Sequence, residues 1–258
     1  MGCRLLTVDC QPQPMPQPYL SIVIPAYNEA LRIGVTLEKV RQYLDSRNFS
    51  CELIIVDDGS TDQTPDLLED VQQRHPTVRV LRNEPNRGKG FSVRRGVLEA
   101  RGEFVLFTDA DLSAPIEETN KLLAALESSR ADAAVGSRAL KRRLIGVHQP
   151  WYRELAGRCF NLVVRLFTGL KIRDTQCGLK LFRRSSTRRA FELQCVNGFG
   201  FDPEVLFLIE RLGGTIEEVP VRWNDNPATK VRFLRDATRM FLDLIALRWR
   251  ALTGKYDG

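Results

Sequence analysis

The chain has 258 residues, of which 43% are hydrophobic and 27% charged, and carries a formal net charge of +6. These proportions exclude a globally disordered chain, the length holds one large core or two small ones, and no run reaches the roughly 18–20 apolar residues of a membrane span. A basic balance suits an anionic partner such as a nucleotide phosphate or an acidic membrane surface, although a solvated basic surface gives the same number.

The six cysteines (Cys3, Cys10, Cys51, Cys159, Cys177 and Cys195) form no CxxC pair. Neither a zinc site nor a disulfide framework is expected, and a reducing compartment fits. Residues 1–10 have no sustained apolar region behind a basic start, so no secretory signal is expected. Residues 11–18, QPQPMPQP, suit an extended tail because alternating proline supports neither a helix nor a ladder strand.

From residue 19 the pattern alternates. Apolar runs over 20–24, 52–56, 78–81, 103–107 and 132–135 predict buried strands. Helical spacing predicts helices over 29–44, where Leu31, Val35, Leu37, Val40 and Leu44 form the stripe, and over 66–74, 90–100 and 116–128. This order predicts parallel βαβ units. The second half is less regular, with a basic loop over 141–148, helices over 153–170, 203–212 and 233–252, and strands over 179–182 and 215–221. There is no internal repeat and no interior linker. The expected organisation is a flexible tail over 1–18, one Rossmann-like α/β domain over 19–226, and a C-terminal amphipathic helical segment over 227–258.

In open parallel sheets ligands bind beyond the carboxyl ends of the strands. Three polar clusters fall there: residues 25–29 (PAYNE), 57–60 (DDGS) and 109–111 (DAD). Asp109 and Asp111 sit one residue apart after an apolar strand, a spacing that lets two carboxylates share a hard divalent cation on a diphosphate. The plain alternative is a helix cap beside a solvated acid. Asp57 or Asp58 offers an acceptor to a nucleotide base, although Gly59 and Ser60 also read as a turn and a cap. Asn86-Arg87-Gly88-Lys89-Gly90 opens a helix with backbone N–H groups and a cation, an arrangement that suits phosphate and equally an ordinary turn.

Together IVIPAYNE, IIVDDGSTD, NRGKG, TDADLS and GSR, in that order, resemble glycosyltransferase family 2 with its GT-A fold. The segment DTQCGLKLF over 174–182, then GFDPEVL over 200–206, and the stretch from Val221 to Gly254 resemble its dolichyl-phosphate glucosyltransferase branch. The resemblance implies that Pro25, Tyr27, Glu29, Val56 and Asp58 surround the nucleoside and that Asp109, Ala110 and Asp111 form the metal and diphosphate site, with Lys89 also on the donor side. It implies that Arg138 meets phosphate near the reaction centre, with Arg153 and Lys180 as further contacts and Lys230 at the mouth. Asp202 matches the place where members acting on hydroxyls keep a base. Ser113 and Asn224 stand where the mannosyl branch carries a glutamine and an arginine, which favours glucose.

The expected reaction is metal-dependent transfer, with Mg²⁺ or Mn²⁺, from a nucleotide sugar such as UDP-glucose to a polyprenyl phosphate, with inversion. A phosphate acceptor is already an anion and needs no general base; Asp202 would then orient the sugar or cap a helix. Three other readings stay open: GDP-mannose as donor, a soluble or saccharide hydroxyl as acceptor with Asp202 as base, and an inactive nucleotide-sugar-binding scaffold. Nucleic acid is not an expected partner, because no recognised motif or aromatic platform accompanies the charge. Apolar positions from Phe233 to Leu252, edged by arginines, suit a helix lying in a membrane interface. Peripheral attachment at the cytoplasmic face, without a transmembrane segment, is the expected location.

Overall fold

A computed structural model describes residues 17–226 and 233–257, with side chains from residue 235 in the second stretch. Its elements follow the alternation: β1 (Leu20–Ala26), α1 (Ile33–Asp45), β2 (Cys51–Asp57), α2 (Thr64–Arg74), β3 (Val78–Arg82), α3 (Lys89–Glu99), β4 (Phe104–Thr108), α4 (Thr119–Ser129) and β5 (Ala133–Ser137). The second half adds β6 (Ile145–Val147), α5 (Trp151–Thr168), β7 (Leu179–Arg183), α6 (Arg184–Leu193), α7 (Phe201–Arg211), β8 (Ile216–Pro220), β9 (Trp223–Asn224) and α8 (Phe233–Leu252).

The main sheet has seven strands in the order β3-β2-β1-β4-β7-β5-β8. All pairings are parallel except those of β7, which runs antiparallel between β4 and β5. The central strands are apolar along their length because both faces are covered. On one face Ile22, Ile24, Ile55 and Leu106 pack against Leu37 and Val40 of α1, Leu68 of α2 and Leu122 and Leu126 of α4. On the other, Val23, Val56, Val105 and Phe107 meet Val93 and Val97 of α3, Val164 of α5, Phe191 of α6, Val205 and Leu208 of α7, and Leu244 and Leu247 of α8.

Two sequence expectations change. The first helix starts at Ile33, not at residue 29, and its buried stripe is Ile33, Thr36, Leu37, Val40 and Tyr43. Leu31 and Val35, assigned to that stripe, are exposed: Leu31 lies in the turn before the helix, where Arg32 and Ile33 N–H donate to Glu29 O, and Val35 stands about 200° around the helix from Leu37. The basic loop over 141–148 contains β6, paired with β9 in a separate two-stranded sheet.

The antiparallel insertion of β7 positions the site. Thr108 pairs with Leu179, so the chain segment entering β7 arrives where β4 delivers Asp109 and Asp111. Arg138 follows β5 at the same edge.

Candidate active site

Beyond these strand ends lies a cavity of about 650 Å³, lined by Lys89, Asp109, Asp111, Arg138, Arg153 and Asp202 among others. The strand ends place the acids, α3 places Lys89, α5 places Arg153 and α7 places Asp202. Residues spread from Lys89 to Met240 thus converge on one space.

The acidic wall is held by backbone. Leu112 adopts φ 46 after the Asp109–Asp111 triplet, the Ala110 carbonyl accepts from Thr36 Oγ1 at 2.6 Å, and Ser113 N donates to Asp111 Oδ1 at 2.9 Å. Burial raises the Asp111 carboxyl above its ordinary range, and the neighbouring charge of Asp109 raises it further. Lys89 Nζ lies 2.6 Å from Asp109 Oδ1. Burial alone would depress this ammonium, yet the carboxylates of Asp109 and Asp202 hold it above the ordinary lysine value.

The donor set of this wall fits a divalent cation. Two hard oxygen ligands are present, and a cation would relieve both the burial of Asp111 and its repulsion by Asp109. Among the described residues, no group of three His, Cys, Asp or Glu side chains is placed to hold a metal ion. The other coordination positions would therefore fall to water and substrate oxygens.

Arg138 pairs with a third acid. Its Nε and Nη2 donate to Asp174 Oδ2 and Oδ1, each at 2.7 Å, and Trp223 lies 5.2 Å from its guanidinium carbon. Burial disfavours both charges, but each partner compensates the other: Asp174 is held below the ordinary carboxylate range and Arg138 above the ordinary guanidinium value. The sequence reading missed Asp174 as a site residue. Its only signal was membership of the DTQCG segment.

Lys180 requires a correction. Expected at a phosphate, it is 1% exposed and donates to Asp202 Oδ1 and to the Cys177 carbonyl, both at 2.6 Å. Alternation along β7 turns it into the core toward Phe107, 5.6 Å away. Burial raises the Asp202 carboxyl, while the charges of Lys180 and then Lys89 oppose that shift.

The residues expected at the nucleoside lie outside the 650 Å³ cavity, around the ends of β1 and β2. Tyr27 is exposed, Pro25 is half-buried, and Glu29 is buried with Arg32 Nη2 donating to it at 2.8 Å. Val56 is fully buried and packs in the second core beside α3, so main chain is what it offers a nucleoside. Asp58 accepts from Asn83 Nδ2 (2.8 Å), Arg87 N (3.0 Å) and Gly88 N (2.8 Å), and thereby folds the loop that opens α3. Gly59 (φ 73) is required in the same turn: a Cβ there would meet Asn86 N at 2.9 Å. Lys230 lies outside the described residues.

The sequence profile of glycosyl transferase family 2 matches residues 21–191. Among curated relatives, the dolichyl-phosphate beta-glucosyltransferase of Drosophila melanogaster is 36% identical over 249 residues, covering 92% of this chain and 76% of the relative. The enzyme of that name from Saccharomyces cerevisiae is 34% identical over 258 residues, covering 92% and 76%. Among solved structures, glucosyl-3-phosphoglycerate synthase from Mycobacterium tuberculosis in complex with UDP superposes with a TM-score of 0.63 at 20% identity, covering 90% of this chain and 80% of that one. A mannosyltransferase from Pyrobaculum calidifontis in complex with GDP-Man and Mn²⁺ gives 0.60 at 19% identity, covering 92% and 67%. These neighbours share the GT-A fold. The chain belongs to glycosyl transferase family 2, and within that family its similarity runs to the dolichyl-phosphate beta-glucosyltransferases.

Proposed function

We propose that this enzyme transfers glucose from UDP-glucose to a polyprenyl phosphate with inversion at the anomeric carbon. The observation that carries the reading is the make-up of the cavity: the paired carboxylates Asp109 and Asp111 and the arginines Arg138 and Arg153 line one space. The carboxylates suit a metal-bound diphosphate, the arginines a second phosphate. The curated relatives are named for this reaction, and a solved neighbour is described with Mn²⁺, UDP-glucose and glycerol 3-phosphate.

Asp109 and Asp111 would hold Mg²⁺ or Mn²⁺, which when bound neutralises charge on the departing diphosphate. Lys89 adds a cation beside Asp109. Arg138 and Arg153 hold the acceptor phosphate so that one of its oxygens faces the anomeric carbon. That oxygen forms the new C–O bond as the bond to the diphosphate breaks, and the nucleoside diphosphate leaves with the bonding pair. Opposite-face attack turns an α-linked donor into a β-linked product. No proton has to be removed from an ionised phosphate, so catalysis is positioning plus charge stabilisation. Asp202, paired with Lys180, orients the sugar in this account.

The donor preference rests on two positions that lie together in space. Asn224 N donates to the Ser113 carbonyl at 2.8 Å, and Asn224 Oδ1 accepts from Val147 N at 3.1 Å. Where the mannosyl branch places an arginine and a glutamine, this chain ties β6, β9 and the acidic loop into one frame. A calorimetric titration with UDP and GDP tests the choice: tight UDP binding is expected, and tight GDP binding without UDP binding overturns it. Arg138→Lys, which keeps charge but loses the fork, should leave donor binding intact and lower turnover severely.

The enzyme would work at the cytoplasmic face of a membrane as a peripheral protein. No described helix is long and apolar enough to cross one. The C-terminal stripe divides: Leu244, Leu247 and Ala251 face the core, while Phe241, Leu242, Ile245, Trp249 and Leu252 are exposed. Beside it α5 exposes Trp151, Tyr152, Leu155, Leu162 and Leu166, and the two helices meet at Phe167 and Phe241, with ring centroids 6.0 Å apart. Exposed Arg158, Arg165, Arg239 and Arg248 edge this surface, the composition of an interfacial face. Both helices also line the cavity, through Arg153 and Phe160 of α5 and Ala237 and Met240 of α8, so a lipid tail would pass between them. In this account residues 19–226 are the catalytic domain and α8 completes its membrane side.

A further inference from the structure

The segment 174–180 touches three of the charged groups gathered in the cavity. Asp174 accepts from Arg138 Nε and Nη2, and also from its backbone N at 2.9 Å. The Gly178 carbonyl accepts from Asp109 N at 3.1 Å, and a Cβ on Gly178 would lie 2.0 Å from Asp109 Oδ2. Lys180 donates to Asp202. The segment is anchored on both sides. Glu218 of β8 accepts from the N–H groups of Arg173 and Asp174 at 3.1 and 2.9 Å. Asn161 of α5 accepts from Thr175 N and Oγ1 at 3.0 and 2.8 Å. Beyond it, β7 is clamped between β4 and β5.

We propose that residues 174–180 form one positioning frame for the reaction, in which Asp174 aims Arg138 at the acceptor phosphate and Gly178 leaves the room in which Asp109 holds its carboxylate. The proposal rests on the functional reading above for what Arg138 and Asp109 bind. A guanidinium has five N–H donors, and Asp174 takes the Nε–H and one Nη2–H. The Nη1 pair and the second Nη2–H are left, which is the end-on fork that grips a phosphate through two oxygens. Trp223 covers the guanidinium, so rotation about the side chain is limited from a second direction. Asp174 is therefore a positioning residue. Its tight acidity follows from the same contact, because a carboxylate accepting three N–H groups of one arginine favours its charged form.

The test uses the full chain and two variants whose effects should cross. In Asp174→Asn, the acceptor KM should rise at least tenfold while UDP binding, read by calorimetry, stays within twofold. The Arg138 Nε–H resonance, followed by ¹⁵N NMR, should exchange with solvent at least tenfold faster. In Gly178→Ala, Mn²⁺ affinity in the presence of UDP should fall at least tenfold by calorimetry, while the acceptor KM stays within twofold. A general packing lesion would lower both properties together in both variants, and that result overturns the proposal. So does an Asp174→Asn protein with wild-type acceptor KM and an unchanged Arg138 signal. If Asp174→Asn does not fold, Glu218→Gln loosens the backbone at 173–174 without stripping Arg138 of its counter-charge. It should raise the acceptor KM in the same direction by a smaller factor, and no change there also overturns the frame. If the wild type transfers nothing to polyprenyl phosphate, yet the NMR and Mn²⁺ effects appear, the functional reading falls and the frame stands.

Discussion

Lys180→Met removes the ammonium beneath Asp202 and keeps most of the apolar stem. Lys180 and Asp202 are 1% and 5% exposed, and their charged atoms lie 2.6 Å apart. Taking away one partner of this buried pair leaves Asp202 with Lys89 as its main opposing charge, and loss of such a partner costs about 3–5 kcal/mol. The retained volume keeps any cavity contribution small. At about 2–4 °C per kcal/mol for a domain approaching this size, the melting temperature should fall by roughly 6–20 °C. The loss should depend on pH. Burial already raises the Asp202 carboxyl, and Lys180 is the first charge opposing that shift, so the variant raises it further. A carboxyl raised in the fold contributes stability that is complete below its unfolded pKa and lost as pH rises through the folded value. The deficit should therefore be smallest near pH 4.5 and widest at neutral pH. Thermal melts of the wild type, Lys180→Met and the double variant with Asp202→Asn, at both pH values, provide the assay. The double variant should recover most of the loss, short of the Cys177 carbonyl left without its donor. A single variant melting within about 2 °C of wild type at neutral pH, or a double variant no more stable than the single, refutes the reasoning.

Asp111→Asn should weaken Mn²⁺ binding in the presence of UDP at least tenfold by calorimetry with little change in melting, because Asp111 lines the cavity and is absent from the core; transfer should also stop in chelator and return with Mg²⁺ or Mn²⁺. Leu155→Asp combined with Leu162→Asp removes two exposed leucines of α5; at about 1.5 kcal/mol each, binding to anionic vesicles should weaken about 100-fold in a flotation assay, with donor binding unchanged. Glu204 is fully buried, its carboxyl is raised chiefly by burial, and Tyr256 OH donates to it at 2.5 Å. Its ionisation costs stability as pH rises above the ordinary carboxylate range, so chemical denaturation should show Glu204→Gln gaining on the wild type between pH 4.5 and 7.

The first half of the fold was legible because each strand there is a short apolar run closed by a polar cluster, and parallel βαβ units keep neighbours in sequence close in space. The strand over 20–24 became β1, and the helix over 233–252 became α8 with the same bounds. The strand over 179–182 was also visible, but not its direction or its place between β4 and β5, because a buried run carries no mark of its partner. The same limit applied at the site. Asp109 and Asp111 announce themselves by spacing at a strand end. The Arg138–Asp174 pair spans 36 residues and the Lys180–Asp202 pair spans 22, and no local pattern links them. Lys180 was expected at a phosphate from the resemblance alone, and the register of β7, which sets it opposite Phe107, turns it inward. On α8 the sequence showed a single apolar stripe, and packing divided it into a buried edge and an exposed one.

The most direct test of the central claim is the structure of the product. The purified chain is incubated with UDP-α-glucose, a polyprenyl phosphate and Mn²⁺, and the lipid fraction is read by ³¹P and ¹H NMR. The account predicts a phosphodiester joining glucose to the polyprenyl phosphate, with a β-configured anomeric proton, formed in step with UDP. Free glucose with the polyprenyl phosphate unchanged, or an α-linked product, would contradict it.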